Sequence, residues 1–279
     1  MNRIDGHLHV WQGSHPDRPY PWTPDPFPAE DLLPILDANG IDIAVHVSPV
    51  IVGWDNSYGN TVTEAFPDRF RVFGRFDPLQ DDIAGALDVW MASPGASGVR
   101  LTAYRAGESG PLDDDQMQPF WEAATTADVP VAVFAPGRLT ELANVARSFP
   151  GLRMVLDHLG LGVFRGAVDP FAGIDDLTQF APLPRVLVKV SALPEVAEQP
   201  FPFPDVHRYL RFAVDTFGAD RLIWGSNWPV ESIACTYEEA CSWISASGVV
   251  EASDVDLIMG GTMAGLLRIE SETQTRTER

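Results

Sequence analysis

The 279-residue chain is predicted to fold as a single (β/α)8 TIM barrel of the α/β class. Three observations lead there. Short apolar, β-branched runs recur eight times, and segments of helical period fill the intervals between them. No glycine-rich phosphate loop follows any run, which sets aside the open dinucleotide-binding sheet. Strands apolar on both faces belong in a parallel sheet covered by helices, and eight such units in succession close the sheet on itself.

The strand runs fall at residues 3–9, 43–50, 71–77, 98–102, 130–136, 153–159, 185–191 and 221–227. Helical period marks 29–38, which Gly40 stops, then 82–91, 139–149, 206–217 and 237–245. Two connections break the short-loop pattern, 15–28 (HPDRPYPWTPDPFP) and 194–205 (PEVAEQPFPFPD). Both follow strands, on the side where barrel sites form, and their prolines stiffen them. Trp22, Phe27, Phe201 and Phe203 can wall a pocket there or simply pack the barrel end. The barrel is expected to span 1–270, with the polar residues 271–279 as a frayed tail.

Hydrophobic residues make up 45% of the chain and charged residues 21%, which supplies a sizeable core and argues against disorder. Asp and Glu outnumber Lys and Arg by 39 to 19, a net charge of −20. Such a field repels polyanions, so nucleic acid and anionic membrane surfaces are poor partners and a small-molecule substrate is expected. Cys235 and Cys241 are too few for a disulfide framework and lack metal or redox spacing, so they read as reduced thiols. No run approaches the roughly 18 apolar residues of a membrane span. With no apolar leader-like stretch at its start, a soluble, cytoplasmic protein is expected. Oligomeric state is not legible in these patterns.

The chemistry-bearing residues sit at strand ends. The first run reads Ile-Asp-Gly-His-Leu-His-Val-Trp, and a strand period of two puts His7 and His9 on one face, toward the mouth. The sixth run supplies Asp157-His158 and the eighth Trp224-Gly-Ser-Asn227-Trp-Pro. Asp157 is expected to point away from the barrel axis if His158 points in. Lys189, the sole lysine, shares a face with Ser191 at the end of the seventh run. Arg75, Arg100 and Arg138 lie in or just past runs three, four and five. Cations gathered at one mouth of an acidic protein suit a carboxylate-bearing substrate, and internal salt bridges are the alternative. His46 reads as a core residue, and His15 and His207 as loop and helix-surface residues.

Taken together these segments resemble the amidohydrolase superfamily, in its metal-dependent-hydrolase-like branch of sugar lactonases and 2-pyrone-4,6-dicarboxylate lactonase. The resemblance runs to about Ile269. It rests on DGHLHVW at 5–11, PYPWTPDPFPAEDLLPIL at 19–36, GWDNSY at 53–58, FPDRFRVFGRFDP at 66–78 and GVRLT at 98–102. VLDHLG at 155–160, VLVKVS at 186–191 and IWGSNWPV at 223–230 continue it. By that resemblance His7, His9 and His158 bind one divalent metal, zinc or manganese, or contact the substrate carbonyl in a metal-free mechanism. Val133-Phe134-Ala135 stands where many members end the fifth strand in a histidine, which leaves room for one metal at most. Asn56 and Tyr58 match the DN-x-Y segment, as substrate contacts or loop support, and Trp228 lines the pocket or packs the core.

Asn227 departs from the aspartate that most members use as general base. An amide can hydrogen-bond a water but cannot take its proton, and losing a general base typically costs about 10²–10⁴ in rate. Four readings stay open: another base, with Glu231 favoured over Asp157; water activated by metal alone; a retired enzyme; or an introduced substitution. The resemblance implies a hydrolase that opens a lactone, or a related cyclic ester or amide, of a small polar molecule, carboxylate-bearing ones included. The alternatives are a decarboxylase- or hydratase-type lyase on the same scaffold, or a binding protein that kept the pocket.

Overall fold

The computed structural model describes residues 2–13, 25–103, 112–162 and 167–269. His15, Trp22 and the tail 271–279 lie outside the described residues. Eight strands form one parallel sheet in chain order: β1 (Ile4–Leu8), β2 (Ile43–Val47), β3 (Phe70–Arg75), β4 (Ala96–Thr102), β5 (Val131–Phe134), β6 (Met154–Leu156), β7 (Val186–Lys189) and β8 (Leu222–Ile223). The end of β8 closes onto β1. Gly6 N–H donates to Trp224 O at 3.1 Å, Asn227 N–H to His7 O at 2.7 Å and His9 N–H to Trp228 O at 2.8 Å. The architecture is the (β/α)8 barrel read from the sequence.

The outer layer is α1 (Ala29–Ala38), α2 (Ser57–Ala65), α3 (Ile83–Met91), α4 (Gln118–Thr126), α5 (Leu139–Ser148), α6 (His207–Phe217), α7 (Tyr237–Ala246), α8 (Ala252–Asp256) and α9 (Thr262–Leu267). A 3₁₀ segment, Ile174–Phe180, takes the place of a helix between β6 and β7. Local chemistry fixes several ends. Asp82 accepts from Gly85 N–H to start α3, and Thr236 and Glu239 form a reciprocal capping box at the start of α7. Two expected strands are shorter than their apolar runs. The sixth stops at Leu156 and the eighth at Ile223, and the left-handed backbone of His158, Leu159 and Asn227 just beyond cannot continue a strand. No helix among the described residues is long and apolar enough to cross a membrane.

Alternation sorts the strand residues into two cores. Leu8, Ala44, Val72, Val99, Val131, Leu156 and Val188 face the helices. Ile4, Ile43, Val45, Val47, Phe73, Ala132, Val155 and Ile223 fill the barrel, and Met263 and Leu266 of α9 plug it from below. Two positions further along several strands, on the same inward face, the residues turn polar: Arg75 after Phe73, Asp157 after Val155, Lys189 after the partly buried Leu187. An apolar floor thus carries a charged layer at the mouth. On the opposite end, Asp128 gathers Arg153, Arg185 and Arg268, tying the starts of β6 and β7 to the end of α9.

In β1 the alternation breaks. Asp5 pairs with Ala44 and Leu8 with His46, three residues against two, so a bulge falls across Gly6 and His7. Asp5, next after the inward Ile4, faces out of the barrel, where Tyr237 Oη donates to it at 2.8 Å and Ser226 N–H at 3.0 Å. The bulge then turns His7 inward two residues later. Gly6 has to be glycine because a Cβ there would meet the Ile223 side chain and lie 2.8 Å from the Trp224 carbonyl. Gly6→Ala should therefore lower stability by about 1–3 kcal/mol, as overpacking against backbone does. A urea midpoint equal to wild type would show that the β1–β8 seam is looser than described.

Candidate active site

The mouth is organised around Asp157, which is fully buried. Lys189 Nζ lies 2.9 Å from its Oδ1, Arg100 Nε 3.2 Å from its Oδ2 and His7 Nδ1 3.3 Å from its Oδ1. This corrects the expectation that Asp157 points outward when His158 points in. Both face the mouth, because the left-handed backbone at His158 (φ 53°, ψ 48°) ends the strand alternation right after Asp157. Burial alone would raise the Asp157 pKa, but Lys189, His7 and Arg100 override it and hold the carboxyl well below the usual carboxylate range. One carboxylate between two cations leaves a net positive charge at the bottom of the mouth, in a chain of net charge −20.

The three histidines come together. Ring centroids of His7 and His9 are 4.9 Å apart and those of His7 and His158 4.6 Å. Each ring is held through Nδ1. His9 Nδ1 donates to Val47 O at 2.7 Å, which leaves a lone pair on Nε2. His158 Nδ1 pairs with Ser191 Oγ at 2.8 Å, and its ring stands edge-on to Phe134. Lys189 Nζ lies 3.0 Å from His7 Nδ1. The same Nδ1 lies 3.3 Å from Asp157 Oδ1, so it meets both a donor and an acceptor. The other ring nitrogen, Nε2, is buried and meets no partner among the described residues. Burial lowers the pKa of all three rings, His9 and His158 to about 3 and His7 well below its ordinary value with Lys189 adding to the shift. All three are neutral at physiological pH.

Asn227 lies at the seam of the mouth in left-handed backbone (φ 53°), with its N–H on the His7 carbonyl. Its Nδ2 donates to Glu195 Oε2 at 3.5 Å. Glu231, expected as the general base, is buried at 1% exposure. Burial, then the charges of Glu195 and Asp5, push its pKa well above the ordinary glutamate value, while the Glu195 backbone N–H pulls the other way. That burial leaves Glu231 little access to a water at the mouth, which counts against the base role expected of it.

The remaining expected site residues are committed to the scaffold. Asn56 Oδ1 accepts from Arg75 N–H and Ser48 Oγ, and its Nδ2 donates to Arg75 O, which welds the β2 loop to the end of β3. Tyr58 Oη accepts from Ala29 N–H at the start of α1. Arg75 donates to the Gly53 carbonyl and stacks on Trp54, and Arg138 pairs with Glu141 at the start of α5. Trp228 packs edge-on against Tyr237. His46 faces the helices, where its Nδ1 accepts from Val10 N–H, as a core residue should. The cations Lys189 and Arg100 do reach the mouth, with Asp157 between them. Glu195 was not legible as a site residue: the loop that carries it stood out by its prolines, and nothing in its spacing tied the glutamate to Asn227.

A (β/α)8 barrel with histidines from β1 and β6 and a charged mouth is a hydrolase scaffold, and the comparisons agree. The sequence matches the amidohydrolase family over residues 4–261. The chain belongs to that family. It is 30% identical over 258 residues to the L-fucono-1,5-lactonase of Burkholderia ambifaria, covering 87% of this chain and 86% of the relative. It is 30% identical over 232 residues to the 4-sulfomuconolactone hydrolase of Rhizobium radiobacter, covering 81% and 75%. An amidohydrolase from Burkholderia multivorans with bound zinc superposes with a TM-score of 0.83 at 22% identity, over 97% of this chain and all of that one. The 2,6-dihydroxybenzoate decarboxylase of Rhizobium shares the fold with a TM-score of 0.70 at 16% identity, over 97% and 99%.

Among the described residues no three His, Cys, Asp or Glu side chains are arranged to hold an ion. The expected ligands His7, His9 and His158 nevertheless cluster, and His9 with Nδ1 on Val47 O and His7 with Nδ1 on Lys189 and Asp157 each turn the other ring nitrogen, Nε2, away from these contacts.

Two consequences are measurable. Lys189→Met strands Asp157 with half its cationic partners and should cost about 3–5 kcal/mol of stability, as breaking a buried ion pair does; urea unfolding reads it. Second, four buried histidines (His7, His9, His46 and His158) have lowered pKa values, so the unfolded chain binds more protons below pH 6.5 and stability falls on acidification. Asp5 and Glu231, whose values are raised, work in the opposite sense but are only two. Unfolding free energy should drop between pH 6.5 and 5 by about 1.4 kcal/mol per pH unit for each uncompensated proton. Equal denaturation midpoints at pH 7.5 and 5 would contradict this proton inventory.

Proposed function

We propose that this amidohydrolase opens the ring of a small lactone, of the sugar-lactone or muconolactone kind, by adding water to its carbonyl. The observation that carries the reading is the buried His7 Nε2, unpartnered among the described residues, on a residue whose backbone carbonyl accepts from Asn227 N–H at the seam of the mouth. Two relatives named as lactone hydrolases, each 30% identical over most of the chain, support it.

In the proposed reaction His7 donates to the carbonyl oxygen through Nε2, and Lys189 and Asp157 hold the ring at Nδ1. Charge gathers on that oxygen as water attacks. The cations Lys189 and Arg100 around the single Asp157 carboxylate favour it, an effect that water exclusion strengthens. His9, with a lone pair on Nε2, accepts from a substrate hydroxyl. His158, steadied by Ser191 and Phe134, lines the opposite side. Asn227 orients the water through its amide oxygen, since its Nδ2 is turned to Glu195. A bound zinc or manganese would supply carbonyl polarisation instead.

A panel of L-fucono-1,5-lactone, a muconolactone and 2-pyrone-4,6-dicarboxylate tests this by acid release and loss of ring absorbance. Hydrolysis of at least one, reduced about 10²-fold or more in His7→Ala, is the expected outcome for a lost oxyanion donor. Inert behaviour on every lactone, together with carbon dioxide release from 2,6-dihydroxybenzoate, would move the protein to the lyases. Ligand binding without turnover of either class would make it a binding protein.

A further inference from the structure

The hydrolysis proposed above needs a group that takes a proton from water, and the mouth offers few. Asn227 is an amide and accepts no proton. His9 and His158 each spend Nδ1 on a neighbour, the Val47 carbonyl and the Ser191 hydroxyl. Asp157 is enclosed by Lys189, Arg100 and His7, with no exposed surface. Asp5 lies outside the barrel interior, on Tyr237 and Ser226. Glu231 is buried and accepts from the Glu195 backbone N–H. The carboxylate that touches Asn227 is Glu195, at 3.5 Å, and it is only partly buried.

We propose that Glu195, on the 3₁₀ turn Pro194–Val196 after β7, is the general base of this site, acting on the water that Asn227 holds. This rests on the lactonase reading. The geometry explains both neighbours. A carboxylate on Nδ2 fixes the amide orientation, so Oδ1 of Asn227 is turned away from Glu195 and can accept from the same water. The buried Glu231 carboxyl holds the Glu195 backbone N–H and so fixes the turn that presents the base. Glu231 is then a positioning residue, which accounts for a carboxyl buried in a loop of the mouth. Contacts of 3.5 Å before substrate binds are within what catalytic hydrogen bonds show before they tighten.

The step balances. Water oxygen bonds to the carbonyl carbon as one of its protons passes to Glu195. The ring C–O bond then breaks with its electron pair going to the ring oxygen, and Glu195 returns the proton there. Products are the hydroxy acid and an unchanged enzyme.

The test compares wild type, Glu195→Gln, Asn227→Asp and the double variant on whichever lactone wild type opens. Glu195→Gln should lower kcat about 10²–10⁴-fold with KM within a few-fold of wild type and an unchanged Tm. Asn227→Asp should restore most of the lost kcat in the Glu195→Gln background, because it puts a carboxylate back where the water is held. Wild-type kcat in Glu195→Gln, with wild type active, overturns the base assignment and leaves the lactonase reading standing. A loss that comes with a fall in Tm, or that Asn227→Asp does not relieve, makes Glu195 a structural residue and overturns it too. If wild type opens no lactone, the reading beneath fails and the assignment falls with it.

Discussion

The mouth depends on one carboxylate. Asp157 is the single anion in a buried cluster that would otherwise hold two uncompensated cations and three crowded imidazoles. Leaving Lys189 and Arg100 unpaired in that volume is prohibitive, since each buried ion without a partner costs several kcal/mol. With Asp157 present, the pair of cations becomes usable: one charge is neutralised and one remains to act on whatever binds above. Lys189 Nζ and Asp157 Oδ1 also both approach His7 Nδ1, so the ring is held by the same ion pair that balances the charge.

A second carboxylate, Asp5, does the corresponding work outside the barrel. It accepts from His7 N–H, Ser226 N–H and Tyr237 Oη, so it binds the bulged strand, the last strand's loop and α7 at one point. The bulge across Gly6 and His7 is what separates the two roles. Without it, His7 would share the outward face with Asp5 and be lost from the mouth. The capping box at Thr236 fixes the start of α7 and hence the Tyr237 hydroxyl, so a helix terminus remote from the mouth helps hold the seam where Asn227 lies.

Much of this was legible in the sequence, and the limits have physical causes. The barrel and five of its helices follow from period and punctuation. α2 (SYGNTVTEA) was harder to single out because its polar stretch buries only Gly59, Val62 and Thr63. His7 and His9 were placed on one face by strand parity, Lys189 and Arg100 by their positions at strand ends and His158 by resemblance. The expectation that Asp157 and His158 point opposite ways failed because the left-handed backbone at His158, which no sequence pattern announces, turns that residue to the side Asp157 already faces. The roles of Asn56, Tyr58 and Glu231 depended on which polar atoms the loops would consume. That is a tertiary property with no local signature. Glu195 was hidden for the same reason: its relation to Asn227 exists only across two loops.

The separation between Glu195 and the Asp157 cluster has a chemical logic of its own. A base placed among Lys189 and Arg100 would be held ionised and reluctant to accept a proton, as Asp157 is. A base buried like Glu231 would be shut off from the water it must deprotonate. Glu195 stands part-exposed, with the Asn227 amide 3.5 Å from its carboxylate. Asparagine at 227 then has a consequence beyond the absence of an acid. An aspartate there would face Glu195 at close range, and two such carboxylates would force one to keep its proton. The amide places no second acid beside Glu195 while still orienting the water, so in the proposed mechanism the departure at 227 and the glutamate at 195 are two parts of one arrangement.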